Sequence, residues 1–142
     1  ADDGSGYELW RSDGTTAGTR RIAEIFPGSL PERADQGPNE FTELNGLVYF
    51  RARDSADDEE LWSSDGTAAG TSRVVDIVPG VNGSSPHDLM PVAGQIYFNA
   101  GTPANGPELW KTDGTAAGTA LVRDIQPGPS GSNPSEFCAW NG

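Results

Sequence analysis

The sequence predicts an all-β fold, a segment of a β-propeller built from four-stranded antiparallel blades. Three observations lead there. An octapeptide recurs three times, turn signals divide each period into short strands, and adjacent apolar pairs require cover on both faces of every sheet.

The octapeptide is Glu8-Leu9-Trp10-Arg11-Ser12-Asp13-Gly14-Thr15. It returns as Glu60-Leu61-Trp62-Ser63-Ser64-Asp65-Gly66-Thr67 and as Glu108-Leu109-Trp110-Lys111-Thr112-Asp113-Gly114-Thr115. The tryptophans are 52 and then 48 residues apart, and 15 of 22 positions are identical between 59–80 and 107–128. The four extra residues of the longer period fall between Pro27 and Pro38, where the other copies run seven residues from Pro79 to Pro86 and from Pro127 to Pro134. An insertion confined to a Pro/Gly/Ser-rich stretch marks a surface connection.

Within one period the first strand is Phe41 to Leu44. Asn45-Gly46 is the dipeptide that best suits a type I′ hairpin, so Leu47 to Ala52 returns as the second strand. A polar loop, Arg53 to Glu59, leads to a third strand, Glu60 to Ser64. The run Asp65-Gly66-Thr67-Ala68-Ala69-Gly70-Thr71 then turns the chain, because Asp bonds nearby backbone N–H groups and Gly accepts positive φ. Arg73 to Ile77 is the fourth strand, closed by Val78-Pro79-Gly80. The next copy follows through Leu89–Val92, Gln95–Ala100, Glu108–Thr112 and Leu121–Ile125, and no segment carries a sustained helical period.

Neighbours in a strand point to opposite faces, and Tyr49-Phe50, Leu61-Trp62 and Val74-Val75 are adjacent apolar pairs. Small antiparallel sheets stacked face to face around an axis meet that demand. A stacked β-solenoid is the alternative, but its coils are much shorter than a 48-residue period.

The division expected along the chain is then 1–25 for the outer two strands of a blade, 26–37 for a connection, 38–77 for a full blade, 78–85 for a second connection and 86–125 for a second full blade. Residues 126–142 make a last connection and the inner strand of the next blade. That is about three blades less one strand. Propellers need roughly four to eight blades, so closure calls on a second copy or on the remainder of a longer chain. The start, Ala1-Asp2-Asp3-Gly4, carries neither an initiator Met nor a signal-peptide core, which reads as processing or cutting ahead of it.

The repeated residues resemble the ELWxxDGT repeat family of large secreted or surface proteins of bacteria. The resemblance covers nearly the whole chain and implies an extracellular, propeller-like module. The Ser64-Asp65-Gly66-Thr67 turn is also similar to the Asp-box hairpins of sialidase-like propellers, although the box spacing and its closing Trp are not reproduced. In those propellers the box is a folding element away from the active site.

Composition excludes several classes. Gly (19) and Pro (11) make the chain turn-rich without a collagen period. A net charge of −12 argues against nucleic acid and against an anionic membrane surface, both of which attract Lys and Arg. There is no apolar run long enough for a transmembrane helix, so no membrane insertion is expected. The single cysteine, Cys138, excludes an internal disulfide and reads as a small buried hydrophobe.

Candidate chemistry is sparse. Asp13, Asp65 and Asp113 occupy Gly-rich turns at equivalent positions and are the metal-ligand candidates, with Ca²⁺ as the ion; capping of their own turns, together with Gly14, Gly66, Gly114, Thr15, Thr67 and Thr115, is the structural explanation. Asp57-Asp58-Glu59-Glu60 offers enough oxygen ligands for a divalent cation, but without an Asp-x-Asp-x-Asp-Gly loop pattern it reads as a solvated hairpin loop, and Glu24, Asp76 and Asp124 read as carboxylates that bond the following Pro-Gly turn. Trp10, Trp62 and Trp110 could stack on sugars, but a Trp in a blade strand packs between blades, and Trp140 reads as core too. His87 has no triad or ligand set around it, and Asn82-Gly83-Ser84 matches a glycosylation acceptor of low specificity.

The expected function is therefore a non-catalytic extracellular scaffold or protein-interaction module, secreted or on the cell surface and without a cofactor. A glycan-binding propeller with repeated pockets between blades is the alternative. A sialidase-like glycosidase is the enzymatic one, against which stands the lack of a repeated arginine cluster.

Overall fold

A computed structural model describes residues 8–26, 37–54, 58–80 and 82–140. The described residues contain no helix, and ten strands form three antiparallel sheets of two, four and four strands. The first sheet pairs β1 (Leu9–Arg11) with β2 (Arg20–Ala23). The second is a meander of β3 (Asn39–Leu44), β4 (Leu47–Arg53), β5 (Glu59–Ser64) and β6 (Thr71–Arg73). The third repeats it with β7 (His87–Val92), β8 (Gln95–Thr102), β9 (Gly106–Thr112) and β10 (Ala120–Arg123). No sheet closes on itself.

The repeat is reproduced down to its register. Phe50 faces Trp62 and Ala52 faces Glu60 across β4 and β5, just as Phe98 faces Trp110 and Ala100 faces Glu108 across β8 and β9. The β3–β4 turn places Asn45 and Gly46 at φ 54° and 81°, the two positive values that a type I′ turn requires. The fourth strands are shorter than the sequence suggests. β6 ends at Arg73 and β10 at Arg123, because each chain leaves the ladder early to enter its connection.

Alternation along β4 explains the layering. Tyr49 joins Leu44 and Leu61 of its own sheet and Ile96, Phe98 and Ala100 of the third in one cluster. Its neighbours Phe50 and Ala52 point the other way, to Leu9 of the first sheet and Ile25 just beyond it. The middle sheet is thus packed on both faces. The two four-stranded sheets approach each other most closely along their first strands, β3 and β7, where the Asp88 N–H donates to Glu40 Oε2 at 3.2 Å.

Two expected core residues are not core. Cys138 is exposed, and Trp140 is 86% exposed. The stretch 126–142, expected to hold a connection and the inner strand of a further blade, contains no strand among its described residues. The Asn141-Gly142 turn and most of the connection 26–37 lie outside the described residues.

Replacing Leu61 by Ala removes a fully buried side chain from the cluster between the sheets. The expected loss is about 2–5 kcal/mol in urea unfolding, whereas Val122→Ala, on an exposed face, changes stability by less than about 0.5 kcal/mol.

Candidate functional site

The three Asp-Gly-Thr turns share one hydrogen-bond pattern. Asp65 Oδ1 accepts from the Thr67 N–H at 2.8 Å and from its hydroxyl at 2.7 Å, and the Gly70 N–H donates to Thr67 Oγ1 at 3.0 Å. Thr71 donates its hydroxyl to the Thr67 carbonyl, and its Oγ1 lies 2.7 Å from Ser64 Oγ. Asp13 and Asp113 do the same with Thr15 and Thr115, with bonds of 2.9 and 2.7 Å. Gly14, Gly66 and Gly114 turn through φ of 88°, 86° and 95°, which only glycine adopts cheaply. One oxygen of each carboxylate is therefore committed to its own turn. The hydroxyl bond first, then the N–H bond, holds all three carboxyls below the ordinary value of 3.8.

A second repeated device was not assigned from the sequence. Glu60, fully buried on β5, accepts at Oε1 from the Val78 N–H (3.0 Å) and the Ser84 N–H (3.1 Å), and at Oε2 from the Ser84 hydroxyl (2.5 Å). Glu108 repeats this with Gln126 and Ser132, at 2.9, 3.0 and 2.5 Å. Glu8 accepts from the Ile25 N–H at 2.6 Å. The octapeptide glutamates thus bond the turn after the fourth strand, the role expected of Glu24, Asp76 and Asp124. Those three act elsewhere: Glu24 lies 3.9 Å and Asp76 3.5 Å from Arg21 and Arg73, and Asp124 accepts from Asn105 Nδ2 at 2.8 Å. The signal was present, since Ser84 and Ser132 each follow their glutamate by 24 residues. The same bond occupies the Ser84 hydroxyl of the Asn82-Gly83-Ser84 motif.

The connection reaches the glutamate by crossing directly over its strand. A Cβ on Gly83 would sit 2.2 Å from the Glu59 nitrogen, and one on Gly131 2.3 Å from the Pro107 oxygen; both glycines have positive φ. The crossing is pinned by the Ser85 N–H to the Glu59 carbonyl and by the Asn133 N–H to the Pro107 carbonyl.

The acidic run is not a solvated loop. Asp58, Glu59 and Glu60 are buried, while Asp57 lies outside the described residues. Asp58, Glu60 and Asp76 bring carboxylate oxygens within 4.8 Å of one another, a spacing that a divalent cation could span. Arg73 already supplies positive charge there, with Nη1 2.8 Å from Asp58 Oδ2 and Nη2 3.5 Å from Asp76. The cluster is not a repeat feature, because Gly106 and Leu121 stand at the positions of Asp58 and Arg73 in the next copy. Arg51 and Arg53 flank Glu59 at 3.5 and 3.6 Å.

Trp62 packs on the cluster of Leu9, Ile25, Phe50 and Ala52, and Trp110 on that of Tyr49, Leu61 and Phe98. Trp10 lines a groove with Leu9, Ile22, Phe41 and Val48. All three indole N–H groups are buried without a hydrogen-bond partner. His87 bonds through Nδ1 to the Ser85 carbonyl at 3.0 Å and joins no carboxylate or hydroxyl set among the described residues.

Two outcomes follow from these bonds. Glu60→Ala strands two N–H groups and a hydroxyl in a buried site and lowers stability by about 3 kcal/mol or more, whereas Glu60→Gln keeps an acceptor and loses less than half of that in urea unfolding. For the turns, carboxyls with lowered values favour the folded state once ionised. Their stabilisation is present above about pH 3.8 and is lost as pH falls through the lowered folded values. Glu60 works in the opposite sense: burial raises its carboxyl above 4.5, against the bonds from Ser84 and Val78 and with Asp58 adding to the rise. Its effect is fully present below 4.5 and is lost as pH rises through the raised value. A variant with Asp13, Asp65 and Asp113 all changed to Asn is therefore expected to melt lower than the parent at pH 6, and to show a smaller fall in melting temperature between pH 5 and pH 3.

The chain was compared with protein-family models, with curated proteins and with solved structures, and none of the three comparisons finds a match.

Proposed function

We propose that the chain is a non-catalytic segment of an extracellular β-propeller that serves as a scaffold or protein-interaction surface. The observation that carries this reading is where its exposed apolar side chains lie. Phe41, Val48, Val122, Ile125 and Trp140 are the large exposed hydrophobics among the described residues. Their repeat counterparts are Leu89, Ile96, Val74, Ile77 and Val92, and the first four of these pack into the interface between the two four-stranded sheets. Leu44, the other counterpart of Trp140, is buried there as well. Phe41 and Val48 of the middle sheet, Val122 of the third, and Ile125 and Trp140 beyond its last strand thus stand at positions that a neighbouring sheet covers elsewhere in the chain, which supports a stack of such sheets as in a propeller.

The repeated polar groups are accounted for by folding. The Asp and Thr residues bond within turns and the octapeptide glutamates bond connections, while the non-repeated Arg21, Arg51, Arg53 and Arg73 pair with nearby carboxylates. The tryptophans that a sugar would stack on are turned between sheets or have their polar edge buried, which favours the scaffold over the glycan-binding alternative.

A glycan array and a panel of glycosidase and esterase substrates test this reading on the purified chain. The expected result is neither binding nor turnover. Turnover that disappears in Asp65→Asn or Glu60→Gln, or saturable binding of one glycan class, would overturn it.

A further inference from the structure

The first sheet has an open edge. β1 pairs with β2 on one side, and among the described residues no strand pairs with its other side. In the middle sheet the equivalent strand, β5, is bonded on both sides, by β4 and by β6. Between the first sheet and the middle one lies a groove of about 240 Å³, lined on one side by Leu9, Trp10 and Arg11 of β1 and Ile22 of β2 and on the other by Phe41 and Val48 of the middle sheet. Phe41 is 55% and Val48 39% exposed.

The chain itself shows what covers such a surface. The counterparts of Phe41 and Val48 in the third sheet are Leu89 and Ile96. Ile96 is fully buried, and both pack with Leu44, Leu47 and Tyr49, side chains of the β3–β4 hairpin of the preceding sheet. That hairpin also supplies the strand, β4, on which β5 is bonded. One element therefore does two things at the inner interface. It pairs with the strand that carries the octapeptide, and it roofs the apolar residues of the following sheet. At the first sheet both places are open together, in the same relative position.

We propose that the groove between β1 and the Phe41–Val48 surface is a docking slot for a single β-hairpin of the β3–β4 kind, supplied by another repeat of this type. One strand of the hairpin adds to the open edge of β1 by backbone hydrogen bonds, and its Leu44-, Leu47- and Tyr49-type side chains cover Phe41 and Val48. The proposal rests on the scaffold reading and names what one of its surfaces holds.

An isolated two-stranded hairpin is only marginally stable in water, so the test tethers it and lets effective concentration replace intrinsic affinity. A copy of residues 38–52 is joined directly ahead of Ala1, which preserves the repeat spacing because Ala1 stands where Arg53 stands in the next copy. Hydrogen exchange at the amides of Leu9–Arg11 and the melting temperature are measured in the parent and in the extended chain. A control extension carries Ser in place of the added copies of Leu44, Leu47 and Tyr49.

The expected result is exchange slowed on the order of tenfold or more along β1, with a higher melting temperature, in the extended chain alone. Val48→Lys in the floor of the slot, an exposed position, leaves the unextended chain's melting temperature unchanged and cancels the protection; Phe41→Lys serves as a second floor variant, compared with its own unextended form because the Phe41 ring lies 5.5 Å from that of the buried Phe50. Exchange along β1 equal to that of the parent or of the control extension would overturn the proposal, as would protection that survives both floor substitutions. Turnover or glycan binding, which would overturn the scaffold reading, is measured separately and leaves this result readable.

Discussion

Each repeat is organised around a buried carboxylate. Glu60 and Glu108 sit on third strands with no exposed surface, each opposite an alanine small enough to leave room for the carboxylate, and each takes hydrogen bonds from two backbone N–H groups and a serine hydroxyl. A buried charge is costly unless it is fully bonded, and the donors here belong to the chain as it leaves the fourth strand and crosses back over the sheet. The glutamate therefore sets the path of the connection, and the connection sets where the next sheet begins. Gly83 and Gly131 are the complement of this constraint, since nothing larger fits where the connection passes over the strand.

The two glutamate carboxyls are held on opposite sides of their ordinary value. Burial pushes both carboxyls up. At Glu108 the bonds from Ser132, Gln126 and Ile125 outweigh it and hold the group below 4.5, whereas at Glu60 burial outweighs the bonds from Ser84 and Val78, with a smaller contribution from Asp58 beside it. Gly106 replaces that aspartate in the next copy. The same scaffold bond thus tolerates a second acid nearby when an arginine, Arg73, is added to face it.

Stacking is the second organising constraint. Tyr49 and Phe50 point to opposite sides of β4, and both are buried because a sheet lies on each side. Four-stranded sheets of this size have little interior of their own, so their stability comes from neighbours, as in other repeat architectures. The apolar side chains that remain exposed occupy the same positions as those that are packed. The net charge of −12 favours solubility of a chain with such surfaces but does not cover them.

The sequence by itself determined the local structure: the period, the order of four strands, the Asn45-Gly46 hairpin, the Asp-capped turns and the need for cover on both faces. These are legible because they depend on residues close in the chain, or on alternation along one strand. It misjudged Asp58, Glu59 and Glu60, which read as a solvated run, and Trp140 and Cys138, which read as core. Burial of an acid depends on donors 18 and 24 residues away, and burial of an apolar residue depends on whether a neighbouring sheet is there to meet it. Only the tertiary structure decided that Glu60 and Glu108, and not Asp76 and Asp124, hold the connections, and that Phe41 and Val48 face an open groove while Leu89 and Ile96 lie beneath a hairpin. Identical positions in a repeat share their local conformation, but contact with a neighbour is a property of the stack.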